Sequence, residues 1–281
     1  MLVHAAGVIK WRMNVNLGRG RLGLLDGAQC YSAGMFANLC LPSIVGGDAL
    51  KAILAGKITG RFEAAVFGGL NDRLIDTASL VILVVVGGVL SRGAAPGWAS
   101  QALLVGLLVA IGACVVFMPF LLRIGPKRWP RKLRRPVGRA MVAMRRLLRR
   151  PAEALTIFTL SIAMQIVLVL LNAWLGRGIG IDIPLGFWFL AVPLTKAITL
   201  VPISVGGFGL REAALSTILA AAAVPGEKAV AVSLIWQSMV VSIGLLGGAI
   251  WFGLGFRPKA RTGARHASLV EEVRQRELHH A

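Results

Sequence analysis

Pro42-Ser43-Ile44-Val45-Gly46-Gly47-Asp48-Ala49-Leu50-Lys51 has a second copy, Pro202-Ile203-Ser204-Val205-Gly206-Gly207-Phe208-Gly209-Leu210-Arg211. Both read P-x-x-V-G-G-x-x-L-[K/R] without a gap, and the register from Pro42 to Pro202 is 160 residues. An apolar residue, Leu41 or Val201, precedes each proline, and each copy interrupts a hydrophobic stretch. Proline lacks an N–H and disfavours helix just before itself, while glycine relaxes the backbone. Each copy therefore predicts a break between two helices, and the pair predicts a chain of two related halves.

The flanking composition sets the solvent. Of 281 residues, 56% are hydrophobic and 15% charged. Several apolar runs approach or exceed the roughly 20 residues that cross a bilayer, and Trp98–Leu122 carries no charge at all. The fold class is all-α: a polytopic membrane helix bundle with two inverted re-entrant or broken-helix hairpins. The net charge is +19, but 12 of the 31 Lys and Arg lie between Arg123 and Arg150, without an acid among them. In a membrane protein such a block sets topology and meets an anionic leaflet, so nucleic acid is not an expected partner. Met141, Met144 and Leu148 share a face, which reads as a surface helix or, equally, as a solvated loop. Cys30, Cys40 and Cys114 have no motif spacing and read as small core residues. His4, His266, His279 and His280 form no ligand-like constellation, so no metal or cofactor is expected.

In chain order, residues 1–256 form the membrane domain, with 123–153 a cytoplasmic basic loop and 257–281 a polar cytoplasmic tail. The opening reads as the end of a helix, with Lys10, Arg12, Arg19 and Arg21 on the cytoplasmic side. Gly27–Leu41 and Asp48–Leu54 flank the first break. One long helix follows, apolar from Ala78 to Leu90 and polar at its start. Ala154–Gly176, Leu185–Ile203, Leu210–Val224 and Ala229–Gly255 complete the set. Placing the basic loop and the tail in the cytoplasm puts 91–97 and 177–184 outside. If each copy is a hairpin that dips in and returns, the first enters from the inside and the second from the outside, with their tips near mid-membrane; three full crossings between 184 and 256 satisfy parity as well. Non-helical backbone at that depth is tolerated where it is buried in protein or lines a wet cavity.

The tips carry chemistry. Backbone N–H groups after Gly46-Gly47 and Gly206-Gly207-Phe208-Gly209 open helices whose N-termini attract anions. Lys51 and Arg211 follow in the first turns, and Lys196 lies in an apolar segment. Asp48 and Glu212 are the nearby acids. Ionisable groups inside a membrane cost about 2.5–3.5 kcal/mol each on insertion scales, which asks for a function. Plainer readings compete. The glycines permit close packing, Arg211 and Glu212 form an ion pair, Lys196 snorkels, and Asp72, Arg73 and Asp76 make a structural cluster. There is no nucleophile–base arrangement and no phosphate loop, so catalysis has no support within the chain.

These regions resemble the transmembrane region of lysylphosphatidylglycerol synthases, the flippase-like domain family. The first signature is Asn38, Leu41-Pro42, Gly46-Gly47-Asp48, Lys51 and an acid–arginine pair opening the next helix, Asp72-Arg73. Lysine and aspartate stand where Arg and Glu are usual. The second is Pro202, Gly206-Gly207, Gly209 and Arg211-Glu212-Ala213. The resemblance implies a lipid translocase of the bacterial inner membrane. It would bind a polar or phosphate-bearing envelope lipid through Asn38, Pro42, Gly46, Gly47, Asp48, Lys51, Arg73, Lys196, Pro202, Gly206, Gly207, Gly209, Arg211 and Glu212. Relatives usually begin with one or two further helices, and the synthases proper add a soluble aminoacyltransferase domain, where this chain continues only as a polar tail. The alternatives are the membrane subunit of a lipid-modifying transferase, with a separate transferase chain as partner, and a non-transporting structural membrane protein.

Overall fold

The computed structural model describes residues 1–40, 44–91, 150–199 and 209–253. The span Trp98–Leu122, the basic loop up to Arg149, the polar tail and the tip residues Pro42, Ser43, Pro202, Gly206 and Gly207 lie outside them. Every element among the described residues is an α-helix: α1 Leu2–Leu17, α2 Leu24–Cys40, α3 Ile44–Thr59, α4 Phe62–Leu90, α5 Pro151–Gly178, α6 Leu185–Thr199, α7 Leu210–Ala220 and α8 Gly226–Gly253.

Local chemistry sets the boundaries. Gly60 takes φ +66° after α3, a conformation that stops a helix and suits a residue without Cβ. Pro151 sits in the first turn of α5, where its missing N–H is no loss, with Glu153 beside it complementing the helix dipole. The helices α4, α5 and α8 have 29, 28 and 28 residues and are long and apolar enough to cross a membrane. At ~1.5 Å per residue they exceed the ~30 Å hydrocarbon core. Leu155, Leu171 and Trp174 on α5, and Leu234, Leu246 and Phe252 on α8, lie exposed on the outer surface, as suits a face in lipid.

The packing repeats. The pairs α1–α2, α2–α3, α3–α4 and α1–α4 recur as α5–α6, α6–α7, α7–α8 and α5–α8. Across the halves, α6 packs on α4 as α2 packs on α8. Among the described residues each half is thus one preceding helix, a pair of short helices and a long helix, in keeping with two related halves. One close crossing is α4 on α6, where a Cβ on Gly87 would strike the backbone of Phe189 and Leu190. Small residues permit such approaches, and van der Waals packing drives helix association in lipid.

Several boundaries differ from the sequence reading. Helix α3 starts at Ile44, so Gly46-Gly47 lies inside its first turn rather than in the break. The Asp72-Arg73 pair does not open a helix; it lies within α4, which begins at Phe62. Lys10 and Arg12 belong to α1, and Pro151–Glu153 belongs to α5 rather than to the basic loop. Cys30 is buried as expected, whereas Cys40 is exposed at the end of α2.

Candidate functional site

Two polar clusters hold the helices of the first half together. In the first, Lys10 on α1 is 2% exposed. Its Nζ pairs with Asp72 Oδ1 at 3.1 Å and also with Asp76, one turn further along α4. Asn14 Nδ2 donates to Asp72 Oδ1 at 3.0 Å, and Asn71 Nδ2 donates to Asn14 Oδ1 at 2.6 Å. Ser161 Oγ on α5 donates to Asp76 Oδ1 at 2.5 Å. A chain of hydrogen bonds therefore ties α1, α4 and α5. An isolated charge at this depth is costly, and each partner offsets part of that cost.

In the second cluster, Asp48 on α3 accepts from Lys51 Nζ at 2.7 Å and from Arg73 Nε at 2.5 Å. Both carboxylate oxygens are engaged. The Lys51 ammonium lies 5.1 Å from the Tyr31 ring and 5.7 Å from that of Trp11, a cation–π pairing. Its aliphatic stem runs across Gly34, where a Cβ would collide with it. Asn38 Oδ1 accepts from the Gly47 N–H at 3.1 Å, so that donor is spent within the α2–α3 hairpin rather than facing a ligand.

Of these groups, Lys10, Tyr31, Asn38, Asp48, Lys51, Asp72, Arg73 and Asp76 line a cavity of about 210 Å³, together with Lys196 and Gln165. A second cavity of about 280 Å³ adjoins it, walled chiefly by apolar side chains of α5, α6, α7 and α8. Val3, His4, Gln165, Leu168 and Lys196 belong to both walls. Lys196 Nζ donates to Gln165 Oε1 at 2.9 Å, so it faces inward at the junction rather than snorkelling to an interface. Arg211 lines the apolar cavity and donates to Gln237 Oε1 at 3.3 Å. Arg211 and Glu212 do not form the ion pair of the plainer reading; Glu212 Oε1 accepts from Ser233 Oγ at 3.5 Å instead. Gly209 caps α7 at φ +77°, where a side chain would be strained.

Of the residues expected to bind, Asn38, Asp48, Lys51, Arg73 and Lys196 meet at the polar cavity. Arg211 joins them only through the shared wall, and Glu212 lines neither cavity. Sequence reasoning missed Lys10, Tyr31, His4 and Gln165. The i, i+4 spacing of Asp72 and Asp76 was the available signal, since two acids on one face of an apolar helix require a cation. Among the described residues no cluster of His, Cys, Asp or Glu is arranged to hold a metal ion.

An all-helical bundle with membrane-length helices and charged groups gathered around an internal cavity defines a polytopic membrane protein. A family model, the lysylphosphatidylglycerol synthase TM region, matches residues 1–248, and the chain belongs to that family. No curated protein and no solved structure matches the chain. Family membership links it to lipid handling in a membrane.

Proposed function

We propose that the chain binds an envelope lipid, with the polar headgroup in the charged cavity and the acyl part in the apolar one, and passes it between leaflets. One observation carries this reading: a charged cavity and an apolar cavity adjoin across a wall shared by His4, Gln165, Leu168 and Lys196. An amphiphile needs both environments at once. Together the cavities reach the roughly 300–1,000 Å³ range of ligand pockets. The two related halves suit alternating access, with the α2–α3 and α6–α7 pairs entering from opposite faces. The basic block at 123–150 supports a bacterial inner-membrane location with the tail in the cytoplasm and the block against the anionic leaflet.

The test is movement of a headgroup-labelled phospholipid between leaflets of vesicles holding the purified chain. Leu168→Trp fills the wall between the cavities and is expected to abolish transfer, and Arg211→Ala to weaken it severely. Transfer at the wild-type rate in Leu168→Trp would remove the cavities from the pathway.

A further inference from the structure

Asp72 and Asp76 stand one turn apart on α4, and one ammonium, that of Lys10 on α1, touches both. Lys51 of α3 and Arg73 are committed to Asp48, although Lys51 also acts on Asp72 through space. Ser161 and Gln165 of α5 are neutral, and so is the phenol of Tyr31 on α2. The second cation for the pair is Lys196 on α6. It acts on Asp76 through space, but no ion pair joins them among the described residues, and its Nζ donates to Gln165.

Asp76 is the open member of the pair. Its Oδ1 accepts from both Lys10 and Ser161, while among the described residues no donor reaches its Oδ2. Its side chain is 25% exposed against 12% for Asp72. Asp76 and Lys196 both line the polar cavity, so a headgroup lodged there enters the space between them. It excludes water from the carboxylate and holds the ammonium away from it. Two carboxylates sharing one ammonium then carry an excess negative charge out of water, which a proton neutralises.

We propose that Asp72 and Asp76 share a proton while a lipid is bound and release it when the lipid leaves, so that the chain moves a lipid and a proton together. This rests on the lipid-binding reading above. The proton comes from water at the face where the lipid enters, forms an O–H on Asp76, and returns to water at the opposite face; no electrons move. Lys196 supports Asp76 in the empty cavity and is parted from it by the headgroup. Linkage runs both ways, so acid strengthens lipid binding.

The experiment uses the full chain in weakly buffered neutral detergent with a pH-indicator dye. Pyrene-labelled phosphatidylglycerol, which does not titrate near neutrality, is added over a pH series. Energy transfer from tryptophan counts the bound lipid, since Trp236 lines the apolar cavity. Wild type is expected to take up about one proton per bound lipid. Asp76→Asn leaves Lys10 and Asp72 as a one-to-one pair and is expected to take up none. Ser161 lines neither cavity, and Ser161→Ala removes a donor that favours the ionised carboxylate. It is expected to move the midpoint of uptake up by about one to two pH units, the weight of one hydrogen bond to a charged group. That variant decides the matter if Asp76→Asn folds poorly. In vesicles, a pH gradient is expected to speed wild-type transfer in the direction the proton runs and to leave the rate of Asp76→Asn unaltered. Lipid binding without proton uptake, or wild-type transfer indifferent to the gradient, would overturn the proposal. So would uptake kept in Asp76→Asn and lost in His4→Gln, since His4 lines the same cavity. Binding of no lipid at all would defeat the lipid-binding reading itself, and this proposal with it.

Discussion

Replacing Lys10 by methionine removes the cation shared by Asp72 and Asp76 while keeping the apolar stem. Lys10 is 2% exposed, and its ammonium lies 3.1 Å from Asp72. Its loss leaves two carboxylates one turn apart on α4, each with one remaining neutral donor, Asn14 Nδ2 and Ser161 Oγ. Removing one partner of a buried ion pair costs about 3–5 kcal/mol. The surviving hydrogen bonds already exist in the wild type and restore nothing, while Lys51 and Lys196 still act on Asp72 and Asp76 through space, which places the loss toward the lower end of that range. Cys30 is fully buried, and its reaction with a thiol dye during heating in detergent micelles reports unfolding. Cys40 is exposed and Cys114 lies outside the described residues, so both are first replaced by serine. The variant is expected to unfold well below the wild type, and Lys10→Met with Asp76→Asn to recover part of the loss. A Lys10→Met variant within about 0.5 kcal/mol of wild type would refute the buried ion-pair network, since that is the scale of a surface substitution.

Gly87→Ala places a methyl against the Phe189–Leu190 backbone and is expected to cost about 1–3 kcal/mol of thermal stability, as overpacking does. Gly69→Ala on the same helix meets nothing within 4 Å and is expected to raise the melting point slightly, since alanine favours a helix interior over glycine by about 0.5–1 kcal/mol. Asn38→Ala strips the acceptor from the Gly47 N–H and is expected to cost about 1 kcal/mol, with Asn38→Asp close to wild type in the same melting assay. Gly209→Ala puts a side chain at φ +77° and is expected to cost about 1–2 kcal/mol, with no loss of helical content by circular dichroism.

The helices and the repeat were legible because apolar run length and proline–glycine breaks are local signals. The doubled P-x-x-V-G-G stretch marks two halves whose packing pairs correspond. The partners of the charges were not legible, because pairing depends on how helices distant in sequence come together. Lys10 reads as a cation marking the cytoplasmic side until α1 is seen to pack on α4, some 60 residues away at Asp72 and Asp76. Gly47 reads as an anion donor until Asn38 is found to take its N–H. Lys196 was open to a snorkelling or a functional reading, and its inward contact with Gln165 speaks against the first. Gln165 itself looked like an interruption in an apolar span, because nothing in a linear sequence shows that it borders two cavities.

The central claim is that a lipid occupies the joined cavities. Native mass spectrometry of the chain purified from membranes tests it most directly, comparing wild type with Leu168→Trp at equal melting temperature. Wild type is expected to carry a bound phospholipid and Leu168→Trp to carry none. Equal lipid occupancy in the two would contradict the claim.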